Sequence, residues 1–363
     1  MFLWLRKLLF KPVIWLSNKY TSAPDRQRVY KELSDLLDCI LKGEKKKGPI
    51  IEFDPLKDKF IIFSDQHKGA KNGADDFMLC EVNYLAALEY YFEQNFFFIS
   101  NGDCEELWEN SLLAVKKAQK PAFAKEKQFI DTERFIKIFG NHDLYWANDP
   151  LASFQLKDIY NCSVPVYEGV VLQATASNFT LFCAHGHQGD AMSDGNWFSK
   201  FFVSKIWAPL QSLLKINPNT PACDAQLKTL HNSIMYDWSA SQKNILLITG
   251  HTHQPVFESL TEIEILYRKL LEAQNQNNST DIQQLEKQIQ ERKFEYTHIN
   301  HEYLTMKPSY FNSGCCCFND GDITGIEIEN GFIRLIKWES KKGVPTREVL
   351  EESELSKIFN NLP

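Results

Sequence analysis

Five short apolar runs recur along the chain, and each closes on a small or polar residue. Phe60-Ile61-Ile62-Phe63-Ser64 runs into Asp65, Phe96-Phe97-Phe98-Ile99-Ser100 into Gly102-Asp103, and Phe135-Ile136-Lys137-Ile138-Phe139 into Gly140-Asn141. Thr180-Leu181-Phe182-Cys183-Ala184 leads to His185, and Ile245-Leu246-Leu247-Ile248-Thr249 to Gly250-His251. Runs this short and without polar alternation predict strands buried on both faces. A helical pattern over residues 81–93 lies between the first two, giving an α/β order. Ligand sites in layered α/β folds form at the carboxyl ends of strands, so the five polar motifs are expected on one rim of a sheet.

Around these runs the pattern changes. Residues 2–16 are apolar and carry Trp4 and Trp15, while Lys7, Lys11 and Asn18 fall close together on a helical wheel. Two readings stay open there: a helix lying in a lipid headgroup region, or one packed on the protein's own core. Residues 1–47 are expected to form this helix and a helical arm, ending in a lysine-rich linker. The main body spans 48–340, with a helical cap insertion at 191–240, rich in Trp197, Phe198, Phe201 and Phe202, and a charged αα-hairpin at 261–297. That hairpin is expected to project and is a candidate contact for a protein partner. Turns at Asn319-Asp320-Gly321 and Glu329-Asn330-Gly331 predict further strands that complete a second sheet, and 341–363 reads as a tail.

Composition narrows the function. Hydrophobic residues make up 44% of 363 and charged residues 24%, which is the profile of a folded chain. The net charge is −7, yet residues 1–47 hold eleven Lys/Arg against five Asp/Glu, so the body is more acidic than the whole. A basic arm on an acidic body suits an anionic membrane surface and disfavours nucleic acid as a partner. No run of about 18 apolar residues occurs, and no small-residue cleavage site follows the first segment, so the expected location is cytoplasmic, at most peripheral on the inner face of the membrane. Nine cysteines form no CxxC pair. Cys315, Cys316 and Cys317 are expected as buried free thiols alternating between the faces of a strand.

The strand-end motifs are Asp65-Gln66-His67, Asp103, Asn141-His142-Asp143, His185-Gly186-His187 and His251-Thr252-His253, and they hold six of the nine histidines. Carboxylate oxygen and imidazole nitrogen are the donors that bind divalent cations. One Asp-x-His or His-x-His is commonplace; five such motifs in order after five strands are not.

The series DQH, GDCEE, GNHD, HGH and GHTH resembles the five-block signature of calcineurin-like metallophosphoesterases, over residues 60 to about 338. The resemblance implies a four-layer αββα sandwich of two mixed β-sheets flanked by helices. It also implies two divalent metal ions, manganese first with iron or zinc as alternatives. Asp65, His67 and His253 would hold one, Asn141, His185 and His251 the other, and Asp103 would bridge them. Two cations roughly 3.5–4 Å apart lower the pKa of a shared water, present hydroxide and clamp the oxygens of a phosphate. His142 is placed to donate to the phosphate or the leaving oxygen, with Asp143 orienting its imidazole. His187 is either substrate-facing or an outer partner of a ligand.

Within the family, GDCEELWE, with Glu105 and Trp108, resembles the UDP-2,3-diacylglucosamine hydrolase branch, whose members cut a pyrophosphate in a lipid-linked nucleotide. That branch has a helical insertion over the acyl chains, which would give Trp197 and Phe201 to substrate along with Glu105, Trp108 and His187. The chain departs from the branch at His142, where arginine is usual, and in its first 47 residues and its hairpin. The expected activity is hydrolysis of a phosphodiester or pyrophosphate. The alternatives are a soluble phosphodiesterase, phosphomonoesterase or protein phosphatase, and a silent scaffold, against which the complete ligand set speaks.

Overall fold

The computed structural model describes residues 24–72, 75–175, 178–189, 225–292 and 304–362. Residues 2–16, most of the expected cap including Trp197 and Phe201, and the end of the hairpin lie outside them. The described residues build two seven-stranded mixed sheets.

One sheet has at its centre β2 (Phe60–Phe63), β3 (Phe97–Asn101) and β4 (Phe135–Ile138), all parallel, with β5 (Val166–Tyr167) at the edge. Its other side continues antiparallel through β12 (Ile323–Glu329), β13 (Phe332–Lys341) and β14 (Val344–Glu354). The second sheet runs in the order β1 (Ile50–Phe53), β6 (Gly169–Ala174), β7 (Thr180–Ala184), β8 (Ile245–Thr249), β11 (Tyr310–Asn312), β9 (Val256–Phe257) and β10 (Leu260–Thr261).

The unbroken apolar runs follow from the layering. Phe60, Ile62 and Ile99 of the first sheet meet Val170, Leu172, Leu181, Cys183, Leu246 and Ile248 of the second in the central core. The alternate residues Ile61, Phe63 and Phe98 pack outward against Tyr84, Leu88 and Tyr91 of α2 (Glu81–Glu93) and Phe129 of α4 (Lys120–Asp131). On the other flank Val171, Phe182 and Leu247 are covered by α1 (Arg26–Leu41) and α7 (Ala225–Ser241). A strand with a core on both faces has no solvent side on which to place polar residues. The architecture is the expected αββα sandwich.

Several boundaries differ from the sequence reading. The helix α1 is part of the body: Asp25 caps it by accepting from the Arg28 amide, and Val29, Leu33, Leu36, Leu37 and Ile40 are buried against the second sheet. Leu33→Ala is expected to destabilise the whole domain by about 2–5 kcal/mol, read from the urea midpoint; a detachable arm would leave the midpoint unmoved. Residues 225–240, assigned to the cap, belong to a core helix with Ile234, Met235 and Trp238 buried. The hairpin, α8 (Glu262–Asn275) and α9 (Ser279–Arg292), is rooted through Ile263 and Ile265, and its outer turns are charged.

The supposed tail completes the first sheet. Strand β14 pairs with β13 along its length, through a turn in which Lys342 and Gly343 both have positive φ, and α10 (Leu355–Asn361) buries Leu355, Ile358 and Phe359 in the central core. Two successive positive-φ residues match the twist of a tight hairpin. The strand was illegible because its side chains are mostly half-exposed and charged on both faces.

Candidate metal centre

The carboxyl ends of β2, β3 and β4 in one sheet and of β7 and β8 in the other open onto a common cleft. Five ligand candidates leave their strands with left-handed backbone: Asp65 (φ 52), His67 (φ 48), Asp103 (φ 50), His251 (φ 68) and His253 (φ 55). Non-glycine residues rarely adopt that region, and its strain is typical of positions whose side chain must be aimed. Here the surroundings hold it: the amides of Asp65 and His67 donate to the carbonyls of Gly102 and Asp103 at 3.0 and 2.9 Å, and the Cys316 amide to the Asp65 carbonyl at 3.1 Å. The neighbouring glycines are needed for room. A Cβ on Gly140 would lie 2.2 Å from Asp103 Oδ1, and one on Gly250 would lie 2.3 Å from Asp65 Oδ2.

The donor atoms converge. His253 Nε2 is 3.1 Å from His67 Nε2 and 3.2 Å from Asp65 Oδ1, while His185 Nε2 is 3.0 Å from Asp103 Oδ2. Asp103 Oδ2 also lies 3.8 Å from His67 Nε2, between the two sets. Separations near 3 Å between two lone-pair donors suit ligands sharing a cation. The fit is clearest in the buried atoms that have no hydrogen-bond partner: Asn141 Oδ1, His185 Nε2 and His251 Nε2. Leaving such atoms unpaired in a protein interior is costly, and a divalent cation would satisfy them. Asp65, His67, Asp103, His185 and His253 have side-chain atoms within 4.0 Å of one another in a chain of approaches, and Asp103, His185 and His251 form one cluster that could hold a metal.

A family model for calcineurin-like phosphoesterases matches residues 58–255. The chain belongs to that family. Among solved structures it is similar to vacuolar protein sorting 29 from Cryptosporidium parvum, at 12% identity and a TM-score of 0.32, over 82% of this chain and 99% of that one. No curated protein matches it.

As in any calcineurin-like centre built on imidazoles, the ring nitrogen away from the metal decides the tautomer. His185 Nδ1 donates to the Asn101 carbonyl at 3.0 Å, and His67 Nδ1 to Glu106 Oε2 at 2.9 Å, so both present Nε2 to the cleft. Asp65 Oδ2 accepts from the His251 amide at 2.9 Å and from Ser64 Oγ, which turns Oδ1 toward His253. Burial opposes charge at His185, but the carboxylates of Asp103 and Asp65 outweigh it and push the imidazole up to about 9. The same carboxylates would hold a metal cation there.

Glu106 was missed from the sequence. Its Oε2 also pairs with His142 Nδ1 at 2.7 Å, so one carboxylate orients both a ligand and the candidate acid. The role given to Asp143 is thereby corrected: its oxygens accept from the amides of Cys104 and Gly140 at 2.8 and 2.6 Å, and it ties two loops together. Glu105 is corrected too. It is fully buried, on Lys68 and Lys137 at 3.2 and 2.9 Å and on Trp146 Nε1 at 2.7 Å. Successive residues of an extended loop face opposite ways, so one glutamate of the pair points inward and the next toward the imidazoles. Trp108 is stacked on His142, with ring centroids 4.4 Å apart and planes at 17°. His187 is buried beside His185 and Phe139, with Nδ1 unpartnered, and burial pushes it down to about 3.

The charges behind the centre form a closed network. Lys68 pairs with Glu105 and Glu126, Lys137 pairs with Glu105, and Glu126 accepts from Tyr84 and Tyr160 at 3.0 and 2.6 Å. It links the residue after His67, the second residue after Asp103 and the interior of β4. The cysteine run is corrected as well: Cys315, Cys316 and Cys317 are buried free thiols, but they lie in the loop between β11 and β12 and not in a strand.

Proposed function

We propose that this protein is a metal-dependent hydrolase of phosphodiester or pyrophosphate bonds, with two divalent cations held by Asp65, His67 and His253 on one side, Asn141, His185 and His251 on the other, and Asp103 between. The observation that supports it most is the set of unpartnered, buried donor atoms converging on the cleft. Cations bound there supply Lewis acidity and an activated water. Manganese is the first expectation, with iron and zinc accepted by the same donors.

The protein's own groups do the rest. Glu106 holds Nδ1 of His142 and Trp108 covers one face of the ring, so Nε2 is the atom left to meet a phosphate or leaving oxygen. A proton given from Nε2 to the departing oxygen neutralises it as the ester bond breaks, while a water oxygen forms the new bond to phosphorus. His142→Ala is expected to keep metal content unchanged and to slow turnover about a hundredfold. An unaltered rate would reduce His142 to a structural residue.

For the substrate class we retain a pyrophosphate in a lipid-linked nucleotide. Trp108 beside the acid offers a flat apolar surface next to the reacting bond. The test is metal-loaded protein assayed on bis-p-nitrophenyl phosphate and on UDP-2,3-diacylglucosamine. Turnover of the lipid nucleotide far above the generic diester supports this substrate; diester turnover alone keeps the hydrolase and discards the lipid.

A further inference from the structure

His253 is oriented differently from His67 and His185. The outer nitrogen of His185 meets a carbonyl and that of His67 a carboxylate, but His253 Nδ1 lies 3.5 Å from Cys317 Sγ. The Cys315 thiol lies near enough to both Cys317 and His253 to interact electrostatically with them. The loop fixes this arrangement: the Cys316 amide is tied to the Asp65 carbonyl and the Thr324 amide to the Cys315 carbonyl at 3.0 Å. Cys316 turns away into the core under the outer helices, leaving the two flanking thiols on the side of His253. Cys317 is 8% exposed and the His253 side chain 11%, so the pair borders the cleft and not the deep core. Oxygen partners do not change with redox conditions, whereas thiols do.

We propose that Cys315 and Cys317 are a redox-sensitive pair which a peroxide converts to a disulfide, withdrawing the sulfur partner of His253 and loosening the cation that His253 holds. This rests on the metal-centre reading above. The Cys315 sulfur attacks one peroxide oxygen; the O–O bond breaks and the other oxygen leaves as water with the Cys315 thiol proton, giving a sulfenic acid. The Cys317 sulfur then attacks that sulfur, the S–O bond breaks, and the second oxygen leaves as water with the Cys317 thiol proton. Two electrons pass from the thiols to the peroxide. Loss of an outer partner typically lowers metal affinity about 10–100-fold.

The experiment uses full-length protein loaded with Mn²⁺ and titrated with hydrogen peroxide. Bound manganese is read after desalting, and the 315–317 peptide is read by mass spectrometry. Expected are a two-proton mass loss on that peptide, a parallel loss of manganese, reversal of both by dithiothreitol, and resistance in Cys315→Ser relative to its own untreated sample. Cys316→Ala should respond like the parent chain. A disulfide without metal loss, metal loss without the disulfide, or equal loss in Cys315→Ser overturns the inference. Reduced protein that takes up no Mn²⁺ overturns the metal-centre reading itself, and this inference with it.

Discussion

Protein carrying Asp103→Ala is expected to emerge from desalting with at most trace metal and to hydrolyse bis-p-nitrophenyl phosphate no faster than buffer. The reason is position. One carboxylate oxygen lies 3.0 Å from His185 Nε2 and 3.8 Å from His67 Nε2, while the other accepts the His142 amide at 2.7 Å. Removing it deletes the bond that seats the His142 loop and, under the proposed arrangement, the ligand common to both cations and the charge that opposes their repulsion. The carboxylate is held well below its usual range despite burial, by His185 first and then His142 and His67, so it stays ionised across neutral pH. Elemental analysis of the purified variant is the check, with circular dichroism to confirm folding. Two metals per chain in the variant would remove Asp103 from the centre.

Lys137→Met is expected to cost about 3–5 kcal/mol of stability, because it leaves Glu105 in the interior with only one of its two lysines. Lys137 and Glu105 are both fully buried, 2.9 Å apart, and the lysines Lys137 and Lys68 are what bring Glu105 down to about 2 against its burial. The double variant Lys137→Met with Glu105→Gln should recover much of the loss, since it removes the unpaired charge as well as its partner. Urea unfolding of the two single variants and the double one measures the coupling. Additive losses would mean that the pair is not a unit, and that the loops bearing His67 and Asp103 are set by backbone contacts alone.

The two variants probe different layers of one construction. Asp103 acts at the centre, and the Lys68, Lys137, Glu105 and Glu126 network acts behind it, on the residues that follow His67 and Asp103. A buried network of this kind adds little net stability over an apolar core, but breaking it is expensive, which makes it suited to holding a loop in one geometry.

The sequence by itself determined the sandwich and the strand ends that carry the polar motifs. Strands such as β2 and β8 are buried on both faces, so their apolar runs are continuous and their ends are marked by the first polar residue: Asp65, or Gly250 followed by His251. Tertiary structure decided everything that depends on which way a residue faces once periodicity stops. Glu105 and Glu106 are the same residue type in succession, yet one is buried on two lysines and the other aligns two imidazoles. Cys315 and Cys317 reach His253 only because the loop between β11 and β12 folds back to the Asp65 carbonyl. The strand β14 exists only as the partner of β13, since its own side chains bury too little to announce it. Local pattern reports how much of a segment is covered; long-range pairing chooses what covers it, and in loops of left-handed backbone no pattern carries that choice.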